Sequence, residues 1–349
     1  MANVSGTEVK AAIRRGAIWG TAAPCGAGHG VLLTGDTMKS TRDVLLDDSL
    51  GNAFAFEGDQ GVETCAGVLS AALRYDGLDT LLALALGTPG VPVLCAGGAY
   101  ESHVIPAGNI DGLFATIAIN KRISLFEYAS AKISGFTIKG EAGRPCAIDF
   151  DVTADHENND GDNSNGWGAN NLTTFANVTW PETGNRVLFS QLVCRLNNSN
   201  GQALADSDIL PVNSFELSFK RKLKGYHTSN TWKTIDEPTN DGLPEIRLKL
   251  GLPRFNSSAM LGALRVDQRK KCELIFTGAE IAPGWARLFA LSFPHLILRA
   301  ADAPTAKGVI GHPLEFEALS CTAGPSGMAG ILTPLRIRQI NTRSISPLT

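Results

Sequence analysis

Residues 146–154 read Cys-Ala-Ile-Asp-Phe-Asp-Val-Thr-Ala, so that Cys146, Ile148, Phe150 and Val152 alternate with Ala147, Asp149, Asp151 and Thr153. A period of two is the side-chain period of a strand, so this stretch has one apolar face and one acidic face. Working outward, the same alternation marks residues 113–119, 133–139, 215–219, 245–250, 272–277 and 314–319. Each reads as a half-buried strand of an antiparallel sheet with one face turned to the core. The 37 glycines and 17 prolines that punctuate these segments supply turn geometry. The expected fold class is mainly β, a barrel or sandwich.

Helices are expected to be few. Residues 77–86, Gly-Leu-Asp-Thr-Leu-Leu-Ala-Leu-Ala-Leu, form the best one: Asp76 is placed to cap it, and Gly87 with Pro89 stops it. Its apolar surface is nearly continuous, which predicts packing flat on a sheet. A weaker helix is expected over 257–271, capped by Ser257 or Ser258. The segment 155–171 is rich in Asn, Asp and Gly and nearly free of aliphatics, so it reads as a long exposed loop or linker. Beyond it the chain restarts. Segments 133–140 and 146–154 are echoed by 212–220 and 245–252, which predicts a diverged duplication with halves at 1–175 and 176–349.

The composition narrows the function classes. Of 349 residues, 44% are hydrophobic and 19% charged, as expected of a globular chain. The net charge of −3 gives no global argument for nucleic-acid affinity. No stretch approaches the roughly 20 apolar residues of a spanning helix, and no secretory signal is visible, so the chain is expected to start in the cytoplasm. Seven cysteines, widely spread and without a C-x-x-C pair, read as free thiols.

Catalytic and metal signatures fail on spacing. Gly26 to Gly30 lacks the lysine and the helix signal of a phosphate loop, and Ser326 lies in a Gly-Pro-Ser-Gly-Met run that is no nucleophile elbow. The six histidines show no i, i+4 pair. Asn158, Asp160 and Asp162 have the alternate spacing of a calcium loop, but Asn163 and Ala169 stand where its glycine and glutamate belong. Neither a cofactor nor a metal is expected, and the chain is not read as an enzyme. Asp149 and Asp151 share a strand face with no third catalytic group in view. Lys220, Arg221, Lys222 and Lys224 form the one basic cluster, which reads as a solvated tip, a contact to acidic partner residues or a contact to nucleic acid.

Several stretches together resemble the tail tube proteins of long-tailed bacteriophages. Residues 51–61 (GNAFAFEGDQG), the strand through 62–74 and the helix region 75–90 are similar to the N-terminal part of that family. Residues 134–154, 211–223 and 294–319 are similar to its later strands, in the same order. The resemblance implies a tail-tube-like β-barrel or sandwich flanked by a short α-helix, and a structural virion protein assembled in the host cytoplasm. Its partners would be itself, in stacked rings, and other tail proteins: tape measure, terminator, baseplate or tip. DNA would pass through the hollow tube without tight binding. Two tube-like halves in one chain would give trimeric rings with pseudo-sixfold symmetry, and a single copy would give hexamers. On this reading Asp149 and Asp151 are a candidate channel-facing acidic face, and Lys220, Arg221, Lys222 and Lys224 a candidate inter-subunit contact cluster. The alternatives are another virion component (baseplate, tail terminator or decoration protein), a carbohydrate-binding β-sandwich, although its five tryptophans show no regular spacing that would form a stacking platform, or an enzyme whose site is assembled from distant loops.

Overall fold

The computed structural model describes residues 6–48, 54–55, 57–159, 173–229, 234–255, 257–301 and 310–348. The first part of the chain supplies β1 (Lys10–Arg15), β2 (Lys39–Leu46), β3 (Gly58–Ala72), α1 (Asp79–Leu86), β4 (Ala115–Asn120), β5 (Leu125–Glu141), β6 (Ala147–Ala154) and β7 (Glu157–Asn159). The second supplies β8 (Leu192–Asn198), β9 (Ser214–Lys220), β10 (Glu245–Leu252), α2 (Ala259–Arg265), β11 (Lys270–Ala282), β12 (Trp285–Ala301), β13 (His312–Ala318) and β14 (Arg336–Asn341). All of these strands belong to one antiparallel sheet system, so the chain is mainly β as its periodicity predicts.

The neighbour relations of the first seven strands recur in the second seven. β1 pairs with β4 as β8 pairs with β11, and residues 35–39, which lead into β2, pair with β3 as β9 pairs with β10. β3 pairs with β6 as β10 with β13, and β6 with β5 as β13 with β12. β5 also pairs with β4 and β7, as β12 does with β11 and β14. In both sets the helix follows the third strand. The register recurs too: Leu69 faces Phe150 where Leu248 faces Phe316, and Phe150 faces Phe136 where Phe316 faces Leu298. These equivalences correct the expected internal echo. Residues 133–140 and 146–154 correspond by pairing to β12 and β13, not to 212–220 and 245–252. The first look-alike pair, β5 and β9, are instead direct neighbours whose pairing helps join the two sets into one sheet, whereas β6 and β10 do not pair. Shared alternation identified both as strands and could not tell a copy from a partner.

The core lies on one face of this sheet. Phe136, Phe150, Phe219, Phe276, Phe289, Phe293 and Phe316 are all fully buried. Phe136 stacks on Phe219 at 5.3 Å between centroids and lies 6.1 Å from Phe150. Helix α1 is buried along nearly its whole length, as its apolar sequence dictates, and packs against β5. It ends on Gly87 at φ 90°, whose N–H returns to the Ala83 carbonyl. Its start differs from expectation: Leu78 occupies the N-cap position with no side-chain bond. The Asp76 carboxylate turns away to accept from Arg287, Asn185 and Thr342. Helix α2 covers less of 257–271 than expected, since Lys270 and Lys271 already belong to β11.

Asp79, in the first turn of α1, is buried and accepts from Asn341 Nδ2 at 2.8 Å and Gly77 N at 3.2 Å. Burial raises its pKa above the ordinary aspartate value, against the smaller opposing effects of Arg343 and these hydrogen bonds. A raised folded pKa means that the folded state holds its proton more tightly. The stability contributed is full below the unfolded value of about 3.9 and is lost as pH rises through the folded value. Asp79→Asn keeps the side-chain shape and is expected to flatten the fall in stability from about pH 4 upward. Thermal unfolding of both proteins across that range checks this, and parallel curves would refute it.

Candidate assembly surfaces

The face of the central sheet opposite the core is polar, because the second residue of each alternating pair projects there. Asp149 and Asp151 stand on it, half-buried, with Asp149 Oδ1 accepting from Ser70 Oγ of β3 at 2.7 Å. Across the β5–β9 seam the same face carries Lys139, Glu216, Ser218 and Lys220, followed by Arg247 and Lys249 of β10 and Glu315 and Glu317 of β13. Several of its charges are paired: Lys249 with Glu216 at 3.1 Å, Arg247 with Glu245 at 3.3 Å and Arg299 with Glu317 at 2.5 Å. The two aspartates therefore sit in a charge-balanced surface rather than a purely acidic one. At one end of the seam a groove of about 550 Å³ opens between Lys139, Arg144, Ser214, Glu216 and Lys249.

The seam itself is close packed. Seven residue pairs run from Glu141 opposite Ser214 to Gly135 opposite Lys220. A Cβ on Gly135 would come within 2.4 Å of the Phe219 carbonyl oxygen, so glycine is required for that approach.

The four basic residues of the predicted cluster do not share a surface. Lys220 ends β9 on the polar face, and Lys222 pairs with Glu245 at 3.2 Å. Lys224 lies over the Tyr226 ring at 5.0 Å. Arg221 is buried and donates to the carbonyls of Ala85, Leu86 and Ala107, closing the C-terminal end of α1. Burial lowers its pKa from the ordinary arginine value to about 10. The pattern Lys-Arg-Lys gave no sign of this, since a run of charge reads the same on a tip as at a helix end.

Segment 220–245, between β9 and β10, folds back on the first part of the chain. The fully buried Lys132 of β5 reaches Glu237 Oε1 at 2.6 Å and donates to the Pro238 carbonyl at 2.7 Å. Trp19 Nε1 donates to Ile235 O, and Asn240 Nδ2 to Gly108 O. The corresponding stretch of the first set begins in β2, where Val44, Leu45 and Leu46 are 61–64% exposed, and Phe54 beyond it is 83% exposed.

Other candidates resolve into packing. Trp19 meets Phe114 edge-on at 5.3 Å, and Trp180 stacks on Phe175 while donating to Ala11 O. Trp167 and Trp232 lie outside the described residues. Among the described residues no His, Cys, Asp and Glu group is arranged to hold a metal. Of the expected polar loop 155–171, residues 160–171 lie outside the described residues, and with them Asp160, Asp162, Asn163 and Ala169. Its beginning is not an exposed loop: Asp155, His156 and Asn158 are buried, and β7 pairs with residues 126–128 of β5. All seven cysteines are free thiols. Burial pushes the Cys25 and Cys146 thiols up to about 12. No helix among the described residues is long and apolar enough to cross a membrane.

A family model described as phage tail tube protein matches residues 6–243. No curated protein matches the chain.

Proposed function

We propose, given that this chain belongs to the phage tail tube protein family, that its copies join into rings which stack into the hollow tube of a phage tail. The chain is a structural tail protein, and the reading that goes further gives it no catalytic role. It is assembled in the host cytoplasm with other tail proteins, and DNA passes through the finished tube.

One observation carries the finer reading, namely the recurrence of seven strands and a helix with matching register. It supports two tube-like units per chain, divided near residue 175, and hence a trimeric ring with pseudo-sixfold symmetry rather than a hexamer. The polar face bearing Asp149 and Asp151 would then line the channel. A wall of mixed charge, with acids interspersed among its cations, offers phosphates no basic groove, so DNA slides without strongly salt-sensitive binding. Lys222 and Lys224, on the hairpin side of β9, remain candidates for contact between subunits.

Electron microscopy of the purified protein across concentration tests the proposal. Hollow tubes of stacked rings with three chains per ring are expected. A closed single ring that never stacks would assign the chain to a terminator or baseplate role instead. A reconstruction placing Asp149 and Asp151 on the outer surface would overturn the channel assignment.

A further inference from the structure

Besides the pairing of residues 100–104 with β14, the two sets meet along the β5–β9 seam, and the sheet has two open edges of that same kind. At the seam, β5 of the first set receives β9 of the second along residues 135–141. The strand equivalent to β5 is β12, and the stretch equivalent to β9 is 33–39, in which Gly35 and Asp36 face Ser70 and Leu69 of β3 and lead into β2. Among the described residues, no strand pairs with the outer side of 35–39, nor with the side of 297–301 that faces away from β13. An unpaired strand edge is a row of unmet N–H and C=O groups, complementary to any strand that can lie beside it.

We infer that β12 of one copy receives residues 34–39 of a second copy, in the register of the internal seam, and so closes the ring. This rests on the ring reading above. Carrying the equivalences across, Phe136 opposite Phe219 becomes Leu298 opposite Met38. Thr137 opposite Ser218 becomes Ala300 opposite Thr37. Ile138 opposite Leu217 becomes Ala301 opposite Asp36. Ile297 stands where the internal seam requires Gly135, so the seam between copies starts at Leu298.

The exposed end of β2 fits the same scheme. Its equivalent, 220–245, lies against the C-terminal end of α1 and the buried Lys132. By equivalence Ser40 of one copy stands where Arg221 does, at the C-terminal end of α2 in the next, with the exposed Val44, Leu45 and Leu46 following it and Val266 73% exposed on the receiving side. Apolar surface on both sides gives that contact a hydrophobic driving force.

A pair of cysteines tests the register. Thr37→Cys with Ala300→Cys places two thiols on directly opposite residues of neighbouring strands, within disulfide reach. Thr34→Cys with Ala300→Cys is the off-register control. On mild oxidation of assembled protein, the first pair is expected to give covalent oligomers ending at three chains on a non-reducing gel, and the second to give none. The unmodified chain provides a second readout: amides of 35–39 and 298–301 should exchange at least tenfold more slowly in assemblies than in the unassembled protein. Rings or tubes seen by microscopy without the in-register crosslink, or with equal crosslinking of the control, overturn the seam and leave the tube reading standing. Protein that neither crosslinks nor forms rings overturns both.

Discussion

Glu237→Ala is expected to destabilise the folded chain by about 3 kcal/mol, toward the lower end for breaking a buried ion pair. The reason is the charge left behind. Lys132 is wholly buried, its ammonium is 2.6 Å from Glu237, and its other acidic neighbour, Asp111, lies 3.9 Å away with half of its side chain exposed. Without Glu237 the ammonium keeps the Pro238 carbonyl alone at hydrogen-bond distance, and Gly112 N loses the same carboxylate oxygen as its acceptor. Glu237 is partly exposed, so water can enter and soften the loss, which is why the lower end applies. Lys132→Met in the same chain removes the stranded charge and should recover a large part of the deficit. Denaturant midpoints of the parent, both single variants and the double variant decide the matter. A single Glu237→Ala variant within 1 kcal/mol of the parent would mean that the pair does not hold segment 220–245 in place.

Phe136→Ala is expected to cost about 3–5 kcal/mol, the usual range for emptying a buried aromatic site. Phe136 is fully buried and sits between Phe150 and Phe219, so one truncation removes ring contacts on both sides. Those neighbours belong to β6 and β9, one on each side of the strand, and neither can collapse into the void without breaking its register. Phe136→Leu should lose appreciably less. Urea unfolding followed by tryptophan fluorescence measures both, and equal losses for the two variants would show that the site relaxes instead of retaining a cavity.

The strands were legible because each carries a strict alternation that buries one face, and residues 146–154 are strand over 147–154. Helix 79–86 was legible from its run of Leu and Ala closed by Gly87. The lengths of β5 and β12 were not, because each continues past its alternating stretch through a bulge where the pattern slips. The strand β7 was hidden inside a polar segment, since Glu157, Asn158 and Asn159 look like loop residues until β5 offers them a partner. Arg221 looked like one of four surface cations, and only the end of α1 three-dimensionally beside it explains its burial. The acidic face was legible in Asp149 and Asp151. The compensating cations were not, because they come from β9, β10 and β12 and meet the acids only across the folded sheet.

The β5–β9 seam lies within one chain, and in the ring proposed above this changes how the copies come together. Where six separate units must find one another, every joint depends on protein concentration. Here one joint in each chain is made during folding, with the tethering segment holding its strands at an effective concentration in the millimolar range. The proposed trimer with pseudo-sixfold symmetry would then have half of its joints preformed, and only the other half would respond to dilution. The two kinds of joint are also free to diverge in sequence. The inner one keeps Gly135 and a pair of stacked phenylalanines, while the outer edges carry Ile297, Leu298 and Met38, so that the strand edge left open to other molecules is not the one the chain uses on itself.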